Sequence, residues 1–443
     1  MQTRILVFFI SIFLTHLNAI AQAPPNLVQQ TASELNDELF ELYKTLHRNP
    51  ELSFEERNTS KMLSDILIEE GFEVTKNFGG YGVVAIMKNG DGPTIMLRAD
   101  MDALPVKEET GLPYASEVTT TLNGNPVHVM HACGHDIHMS VLIGAAKALV
   151  KLKNKWKGAL MLILQPAEER SGGAKAMLAE GLYQKFGAPD YALALHANAS
   201  MAAGTVGICP EYALANVDMV DITVYGKGGH GAYPHTTIDP VVLASRIVLD
   251  LQTIVSREVS PLEPAVVTVG SIHGGAKGNI IPDEVKLELT LRSYSDVVRQ
   301  HTITAIKRIT SSLAQSAGLE SDLYPKVEVR DESTPALYND PKLSKQILEA
   351  FQRYIGEQNA MIVNPVMGGE DFGKFGRTEE NVPICLYWLG TVSEEKIEEA
   401  QKGNINLPSL HSPFFAPEAG PSINTGVITM TSAVIELMSN GLD

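Results

Sequence analysis

Short aliphatic runs alternate with longer amphipathic segments over much of the chain. From Glu34 to Gly71, apolar residues recur at helical spacing, and Asn49-Pro50 divides this stretch into two predicted helices. Later runs are short and rich in aliphatic residues, as expected of buried strands: GVVAIM, TIMLRADMD, ALMLILQPAEE, YALALHAN and ICLYWLG. Helical stretches such as MSVLIGAAKALVKLK and GGAKAMLAEGLYQKF separate or follow most of these runs. This alternation predicts an α/β domain with a mostly parallel central sheet.

The middle of the chain has a different pattern. Apolar and polar residues alternate in DMVDITVYG and EVKLELTLRSY, which predicts strands with one covered face and one wet face. In the second segment the two predicted faces are Val285, Leu287, Leu289 and Leu291, and Lys286, Glu288, Thr290 and Arg292. Two more predicted strands, AVVTVGSI and YPKVEVR, and predicted helices over Pro240 to Arg257 and Asp296 to Gly318 complete the order βαββαβ. This order is typical of a ferredoxin-like α+β domain.

These patterns predict a discontinuous first domain, residues 28–215 and 326–443, with the ferredoxin-like domain inserted at residues 216–325. Residues 1–21 differ from both, because Arg4 precedes the apolar run ILVFFISIFL and AIAQA supplies small residues for a signal peptidase. A secretory signal peptide cleaved after Ala21 is therefore predicted. A membrane anchor is the alternative, although the run is short for a bilayer span. The mature protein is expected to be secreted or periplasmic, without membrane insertion.

The net charge narrows the classes of binding partner, and the cysteine content indicates how the thiols are used. The 443-residue chain has a net charge of -17, and no basic cluster stands out. Nucleic acid and anionic membrane surfaces would repel it, so neither is an expected partner. Its three cysteines, Cys133, Cys209 and Cys385, are too few for a disulfide scaffold. An odd thiol that lies among histidines favours a metal ligand.

That thiol is Cys133, in the stretch HACGHDIHMS from His131 to Ser140. His131, Cys133 and His135 are two residues apart, and an extended chain would turn all three side chains to one side. Imidazoles and a thiolate that face one way would form one corner of a transition-metal site. The alternative is a histidine-rich surface loop with a buried thiol.

Ionisable residues also follow several predicted strands, namely Asp100 and Asp102, Glu168 and Glu169, and His196. Ligands of open α/β sheets gather beyond the carboxyl ends of the strands, so we expect these groups and the HACGHD loop to meet at one sheet edge. In the glutamate pair, one carboxylate would bind a metal while the other handles a proton. A solvated surface pair is the alternative.

The sequence alone does not assign a role to two further segments. His411 lies in the Pro-rich segment LHSPFFAPEA, where an isolated histidine carries little signal. Glu370 and Asp371 lie in MGGEDFG, which is either a tight turn or a loop beside the metals.

Taken together, the motifs resemble those of the amidohydrolase branch of the M20 metallopeptidases. They occur in that branch's order and cover nearly all of the chain after the predicted signal: RADMDALPV, MHACGHDIHM, QPAEE, ALHAN, GKGGHGAYPH, GNIIPD, MGGEDF and LHSPFF. The branch includes hippurate hydrolases, N-acyl-amino-acid amidohydrolases and indole-acetyl-amino-acid hydrolases. The resemblance implies a zinc-peptidase-like catalytic domain and hydrolysis of N-acyl or N-aroyl amino acids by a metal-activated water. A dipeptidase or aminopeptidase is the related alternative, and a non-catalytic binding protein is the alternative from another class.

The resemblance also implies roles for individual residues. It implies two divalent ions (zinc, manganese, cobalt or nickel) with five ligands: Cys133, His135, Glu169, His196 and His411. It implies that Glu168 is the general base. Asp100 is expected to support the site, because other M20 branches have a histidine where Arg98 stands, and His131 and His138 are expected to be structural or to support the ligands.

By the same resemblance the inserted domain is a lid and the contact surface of a homodimer. In this domain His230 and Asn279 are implied to hold the oxyanion that develops on the substrate. Arg292 is implied to bind the substrate's free carboxylate, for which the planar guanidinium is suited.

Overall fold

The computed structural model describes residues 26–439. The predicted signal peptide, residues 1–21, lies outside these residues. Between residues 26 and 439, no helix combines the length and the apolar character needed to cross a membrane.

Two amphipathic helices open the described chain, α1 (Leu27–Arg48) and α2 (Arg57–Glu69). The break between them falls at Asn49-Pro50, as predicted. The Asn26 side chain caps α1 by accepting hydrogen bonds from backbone amides of its first turn. The buried side of α1 recurs at the spacing of one helix face and includes Leu35, Leu39, Tyr43 and Leu46.

The remaining elements follow in three groups. The first comprises β1 (Glu73–Lys76), β2 (Val83–Asn89), β3 (Thr94–Asp100), β4 (Thr119–Leu122), β5 (Asn125–His128), α3 (His135–Lys151), β6 (Gly158–Gln165), α4 (Gly173–Ala179), α5 (Leu182–Phe186), β7 (Tyr191–Ala202), β8 (Val206–Ile208) and β9 (Glu211–Leu214). The second comprises β10 (Asp218–Tyr225), β11 (Gly229–His230), α6 (Pro240–Thr253), β12 (Ala265–Gly274), β13 (Ile280–Ile281), β14 (Glu284–Ser293), α7 (Asp296–Ser316) and β15 (Lys326–Val329). The third comprises β16 (Leu337–Asn339), α8 (Pro341–Ile355), β17 (Ala360–Ile362), β18 (Ile384–Val392), α9 (Glu394–Gln401) and α10 (Ala419–Ser439).

The first and third groups build one eight-stranded sheet in the order β1-β2-β6-β3-β7-β18-β8-β17. Its central strands β6, β3, β7 and β18 are parallel neighbours. The pairs β1 with β2, β2 with β6, and β8 with β18 are antiparallel. The predicted α/β fold with a mostly parallel central sheet is confirmed. Because the central strands run the same way, their carboxyl ends share one edge of the sheet.

Apolar side chains cover both faces of this sheet. In β3, Ile95 and Leu97 belong to a core that also contains residues of α1, α3 and α10, whereas Met96 belongs to a second core with residues of α4 and α5. A strand buried on both faces reads as a continuous apolar run, which explains TIML in the sequence. Burial of each such large side chain contributes about 1.5–3 kcal/mol.

Helix α3 approaches α1 and α10 closely at Gly144. A Cβ atom at this position would lie 2.6 Å from Leu39 Cδ1 and 2.4 Å from Val427 Cγ2. Glycine therefore allows the three helices to meet at this point. The contact holds α3, whose first residue is His135, against the rest of the domain.

The second group forms its own sheet in the order β12-β14-β10-β15, with antiparallel neighbours throughout. Helices α6 and α7 pack on its apolar face. This arrangement confirms the predicted ferredoxin-like α+β fold. On β14 the buried residues are Val285, Leu287, Leu289 and Leu291, as predicted. Because β15 is a strand of this sheet, the domain ends beyond the predicted boundary at residue 325. We refer to residues 218–329 as the inserted domain.

Some details of the inserted domain differ from the prediction. Helix α7 ends at Ser316 because Gly318 has a φ of 82°, a left-handed conformation that terminates helices. Helix α6 is α-helical only to Thr253, and its last turn, Ile254–Glu258, widens to a π-helix. Strands β11 and β13 form an additional two-stranded sheet that the hydrophobic pattern did not predict.

Candidate metal centre

Side chains from separate elements meet at the carboxyl edge of the central sheet. Asp100 ends β3, Glu168 and Glu169 lie in the turn after β6, His196 lies on β7, and His135 begins α3. The structure therefore shows the convergence expected from the strand ends. His196 differs in one respect, because β7 continues beyond it instead of ending there.

The five predicted metal ligands lie together. Cys133 Sγ is 3.6 Å from His196 Nε2 and 3.2 Å from His411 Nε2. Glu169 Oε1 is 3.5 Å from His411 Nε2 and 3.9 Å from His135 Nε2. Ligand atoms of Cys133, His135 and His196 form one group within 4.8 Å, and those of Cys133, Glu169 and His411 form a second. Cys133 belongs to both groups.

The stretch HACGHD is a turn and not an extended segment, so the expectation that His131, Cys133 and His135 face one side is wrong. Gly134 has a φ of 83°, and its amide donates to the carbonyl of His131 before α3 begins at His135. A Cβ atom at Gly134 would lie 2.8 Å from Ala197 Cβ. This left-handed glycine brings Cys133 and His135 into the same cluster, whereas His131 is buried and belongs to none of the candidate ligand groups.

Hydrogen bonds at Nδ1 orient two of the predicted ligand histidines, His135 and His196. His135 Nδ1 lies 2.7 Å from the carbonyl oxygen of Asp102, and His196 Nδ1 lies 2.9 Å from that of Ala197. Because a carbonyl only accepts, each Nδ1 carries the proton, and each Nε2 keeps its lone pair for the cluster. His138 is engaged at both nitrogens, since Nε2 accepts from the Ala197 amide and Nδ1 lies 2.6 Å from Asp100 Oδ1.

The donor atoms of the cluster fit a divalent metal. Within residues 26–439, the buried atoms His135 Nε2 and Glu169 Oε1 have no hydrogen-bond partner. An unpaired buried polar atom costs about 1–3 kcal/mol, which coordination of a cation would remove. Burial and the carboxylates of Glu169 and Glu168 raise the pKa of Cys133, so the thiolate requires a nearby cation. A set of sulfur, imidazole and carboxylate donors suits zinc or another late transition metal.

Behind the cluster lies a buried cation, Arg98. Its Nη1 donates to Asp100 Oδ2 at 2.7 Å, its Nη2 donates to Glu370 Oε1 at 2.8 Å, and its Nε donates to Gln165 Oε1 at 2.9 Å. Asp371 Oδ1 is 3.2 Å from Nη2. The segment MGGEDFG therefore lies beside the site, as a short loop that leads into a 3₁₀-helix, Asp371–Gly376. An arginine inside an apolar strand was the sequence signal for this network.

Glu168, the predicted general base, is almost fully buried. Burial raises its pKa well above the ordinary value, and the carboxylates of Glu370 and Glu169 raise it further. The pKa of Glu169 is raised to about 7, first by burial. The turn that carries both residues is held by Asp102, whose carboxylate accepts the backbone amides of Glu168 and Glu169, each at 3.1 Å.

The remaining predicted site residues, His230, Asn279 and Arg292, lie in the inserted domain. His230 is exposed on β11, and its Nδ1 accepts from the Ala232 amide at 3.0 Å. Asn279 directly precedes β13, in which Ile280 pairs with His230, and the carbonyl of Asn279 accepts from the Gly231 amide at 2.9 Å. Arg292 is half-buried on β14. Among residues 26–439, no hydrogen bond or ion pair joins His230, Asn279 or Arg292 to a predicted metal ligand.

Comparisons with known proteins agree with this architecture. Residues 96–411 match the model of peptidase family M20/M25/M40. The chain is 34% identical to thermostable carboxypeptidase 2 of Saccharolobus solfataricus over 83% of this chain and 90% of that protein. It is 37% identical to hippurate hydrolase of Campylobacter jejuni over 77% of this chain and 86% of that protein.

A solved structure of the same family has a similar fold. The YXEP protein of Bacillus subtilis, described as a dinuclear metal-binding peptidase of the M20 family, superposes with a TM-score of 0.72 and 28% identity. The match covers 92% of this chain and 99% of that one. The family and the clustered donor atoms indicate a metallo-hydrolase that acts on amides and uses divalent metal ions. The chain therefore belongs to peptidase family M20/M25/M40.

Proposed function

We propose that this chain hydrolyses the amide bond of N-acyl or N-aroyl amino acids and releases the free amino acid. The observation that carries the proposal is the position of Glu168, a buried carboxyl whose oxygen lies 4.0 Å from His135 Nε2 at the edge of the donor cluster. In this proposal two divalent ions are held by five residues: Cys133, His135, Glu169, His196 and His411.

The chemistry divides between the ions and the protein. Divalent ions, when bound, polarise the scissile carbonyl and lower the pKa of water toward neutrality. Glu168 accepts a proton from the attacking water and delivers it to the nitrogen of the leaving amine. A pKa raised by burial and by Glu370 suits a carboxyl that must both accept and release a proton near neutral pH.

The surroundings of Arg292 support a substrate that carries a free amino-acid carboxylate. Its Nη1 donates only to neutral acceptors, Thr290 Oγ1 and the Leu291 carbonyl, and no carboxylate of residues 26–439 pairs with it. Burial lowers the pKa of Arg292, which indicates incomplete compensation of its charge. A planar guanidinium in this state is suited to bidentate pairing with an amino-acid carboxylate. Hippurate, which the Campylobacter jejuni relative is named for, is an N-aroyl amino acid.

Activity on a substrate panel tests the proposal. Metal-loaded protein should turn over hippurate or N-acetyl amino acids faster than dipeptides, and Glu168→Gln should keep its metal while losing about 10²–10⁴-fold in kcat. Glu332→Gln is a matched control, because this exposed glutamate pairs with Arg170 and lies outside the cluster. Preference for dipeptides would indicate a dipeptidase. Bound metal without turnover of any substrate would indicate a binding protein, and an active metal-loaded Glu168→Gln protein would remove Glu168 from the mechanism.

We further propose that the protein is exported and that it forms a homodimer through the inserted domain. The dimer is supported by exposed apolar residues on α6, where Val242 is 58% and Leu249 is 70% exposed. Apolar side chains exposed together on one helix are typical of a contact surface. Sedimentation of the wild type and of a Val242→Asp/Leu249→Asp variant would test the dimer, and N-terminal sequencing of the exported protein would test signal cleavage.

A further inference from the structure

The turn after β6 is held by side-chain carboxyl groups that accept hydrogen bonds from three successive backbone amides. The Ala167 amide donates to Glu56 Oε1 at 2.8 Å. The next two amides, those of Glu168 and Glu169, donate to the two oxygens of Asp102. Asp102 belongs to the motif RADMDALPV, whereas Glu56 lies 111 residues away from Ala167 along the chain.

Ala167, the residue directly before Glu168, is strained. Its φ of 48° is left-handed, and such a conformation costs about 1–2 kcal/mol for a residue with a side chain. The surroundings hold it on both sides, because its amide donates to Glu56 while its carbonyl accepts from Gly172 and Gly173, each at 3.1 Å. The direction of the chain as it enters Glu168 therefore depends on these bonds.

Glu56 is fully buried, and the same oxygen also accepts the amide of Phe54 at 3.0 Å. Phe54 has a left-handed φ of 65°, so one oxygen atom joins two strained turns. Ser53 donates to Asp102 Oδ2 at 2.6 Å, so the segment 53–56 both contains one anchor of the turn, Glu56, and bonds to the other, Asp102. The other oxygen of Glu56 has no partner among residues 26–439. Packing of α2 alone does not require a buried carboxyl here, because an apolar side chain would avoid the cost of its desolvation.

We propose that Glu56 is a positioning residue, whose Oε1 fixes the amide of Ala167 and thereby aims the side chains of Glu168 and Glu169. The inference rests on the proposed role of Glu168 in amide hydrolysis. Glu56 itself touches neither the donor cluster nor the reacting atoms, so it acts only through the backbone of the turn.

The charge state of Glu56 makes a conservative variant informative. Burial, followed by the charge of Asp102, raises the pKa of Glu56 to about 8. A carboxyl that is neutral at pH 7 closely resembles an amide in shape and in hydrogen bonding, so Glu56→Gln retains an acceptor for Ala167 and Phe54. Glu56→Leu fills similar space without an acceptor.

The control for a purely structural effect is Glu51. Its carboxylate accepts the amides of Asn58 at 2.9 Å and Thr59 at 2.8 Å at the start of α2, and it makes no hydrogen bond to the turn at 166–172. Glu51→Leu thus removes a helix cap from the same segment without releasing Ala167.

The test compares kcat, KM and bound metal in purified, metal-loaded variants. A displacement of reacting groups by about 1 Å costs on the order of 10²-fold, so Glu56→Leu should lose about that much kcat with little change in KM or metal content. Glu56→Gln should restore kcat to within about threefold, and Glu51→Leu should lower Tm while keeping kcat. If Glu56→Leu does not fold, Glu56→Asp, which withdraws the oxygen by one methylene, is judged by the same criteria.

Three results would overturn the inference: kcat near wild type in folded Glu56→Leu, an equal loss in Glu51→Leu, or no recovery in Glu56→Gln. The proposed function fails separately. If Glu168→Gln keeps its activity, the general-base assignment is wrong, whereas an inactive Glu168→Gln beside a fully active Glu56→Leu rejects only the role of Glu56.

Discussion

Removal of the buried cation should destabilise the catalytic domain strongly. Arg98→Met keeps most of the side-chain volume but leaves Asp100, Glu370 and Asp371 without their guanidinium. These three carboxyl groups are at most 1% exposed, so water cannot replace the lost partner. The pKa of Asp371, which burial raises to about 7, is lowered by Arg98 and should rise further in the variant.

The magnitude follows from the burial of the network. Breaking a buried ion pair by removing one partner costs about 3–5 kcal/mol, because the remaining charge is uncompensated. For a domain of this size that loss corresponds to a fall in Tm of about 5–10 °C. Metal affinity should fall as well, since Asp100 Oδ2 lies 3.7 Å from His135 Nε2 and its other oxygen holds His138.

Thermal unfolding of the metal-loaded proteins measures the effect, with Arg353→Met as the control. Arg353 pairs with Glu436 on the surface of the same domain and is 51% exposed, so its replacement should change stability by less than about 1 kcal/mol. A second measurement uses the double variant Arg98→Met/Glu370→Gln. The added Glu370→Gln substitution removes one uncompensated charge, so the double variant should recover part of the lost Tm. A loss no larger than that of the control, or a double variant less stable than Arg98→Met, would refute the reasoning.

Three further predictions concern other parts of the molecule. Cys133→Ala should lower metal content and activity together, as elemental analysis beside a rate assay would show, whereas a disulfide to Cys133 in the metal-loaded protein would contradict the ligand assignment. His230→Ala should keep metal and fold but lose about 10²–10³-fold in kcat, and mixing with inactive Glu168→Gln chains should restore activity if His230 acts across subunits. Burial lowers the pKa of His47, but the hydrogen bonds that its ring nitrogens donate to the carboxylates of Asp136 and Glu108 raise it to about 9. The stabilisation from His47 should therefore be complete below about pH 6.5 and lost as pH rises through about 9, which Tm measured against pH for wild type and His47→Gln would detect.

The parts of the fold that were predicted depend on local pattern. The alternation in β14 assigns buried and wet faces because successive side chains of a strand point to opposite sides. The convergence of Asp100, Glu168 and His196 follows from the parallel direction of β3, β6 and β7. In both cases the residues of short segments, together with a general rule of strand geometry, are enough to predict the arrangement.

The parts that were not predicted depend on single backbone angles or on distant partners. One left-handed residue, Gly134, converts the expected extended HACGHD segment into a turn. Arg98 meets Glu370 across 272 positions of sequence, and Glu56 meets Ala167 across 111. No periodicity connects such positions, so the charge network and the support of the turn after β6 are apparent only in the folded chain.

The two groups of donor atoms also have a consequence for the unfolded state. Cys133 and His411 are 278 residues apart in sequence, and the whole inserted domain lies between them. A bond through a metal would close this loop in the same way as a covalent bridge. By the chain-entropy relation used for disulfides, closing a loop of this length disfavours the unfolded chain by about 6 kcal/mol. An ion at this centre would therefore act as a cross-link between the two halves of the catalytic domain, independently of any part in the reaction.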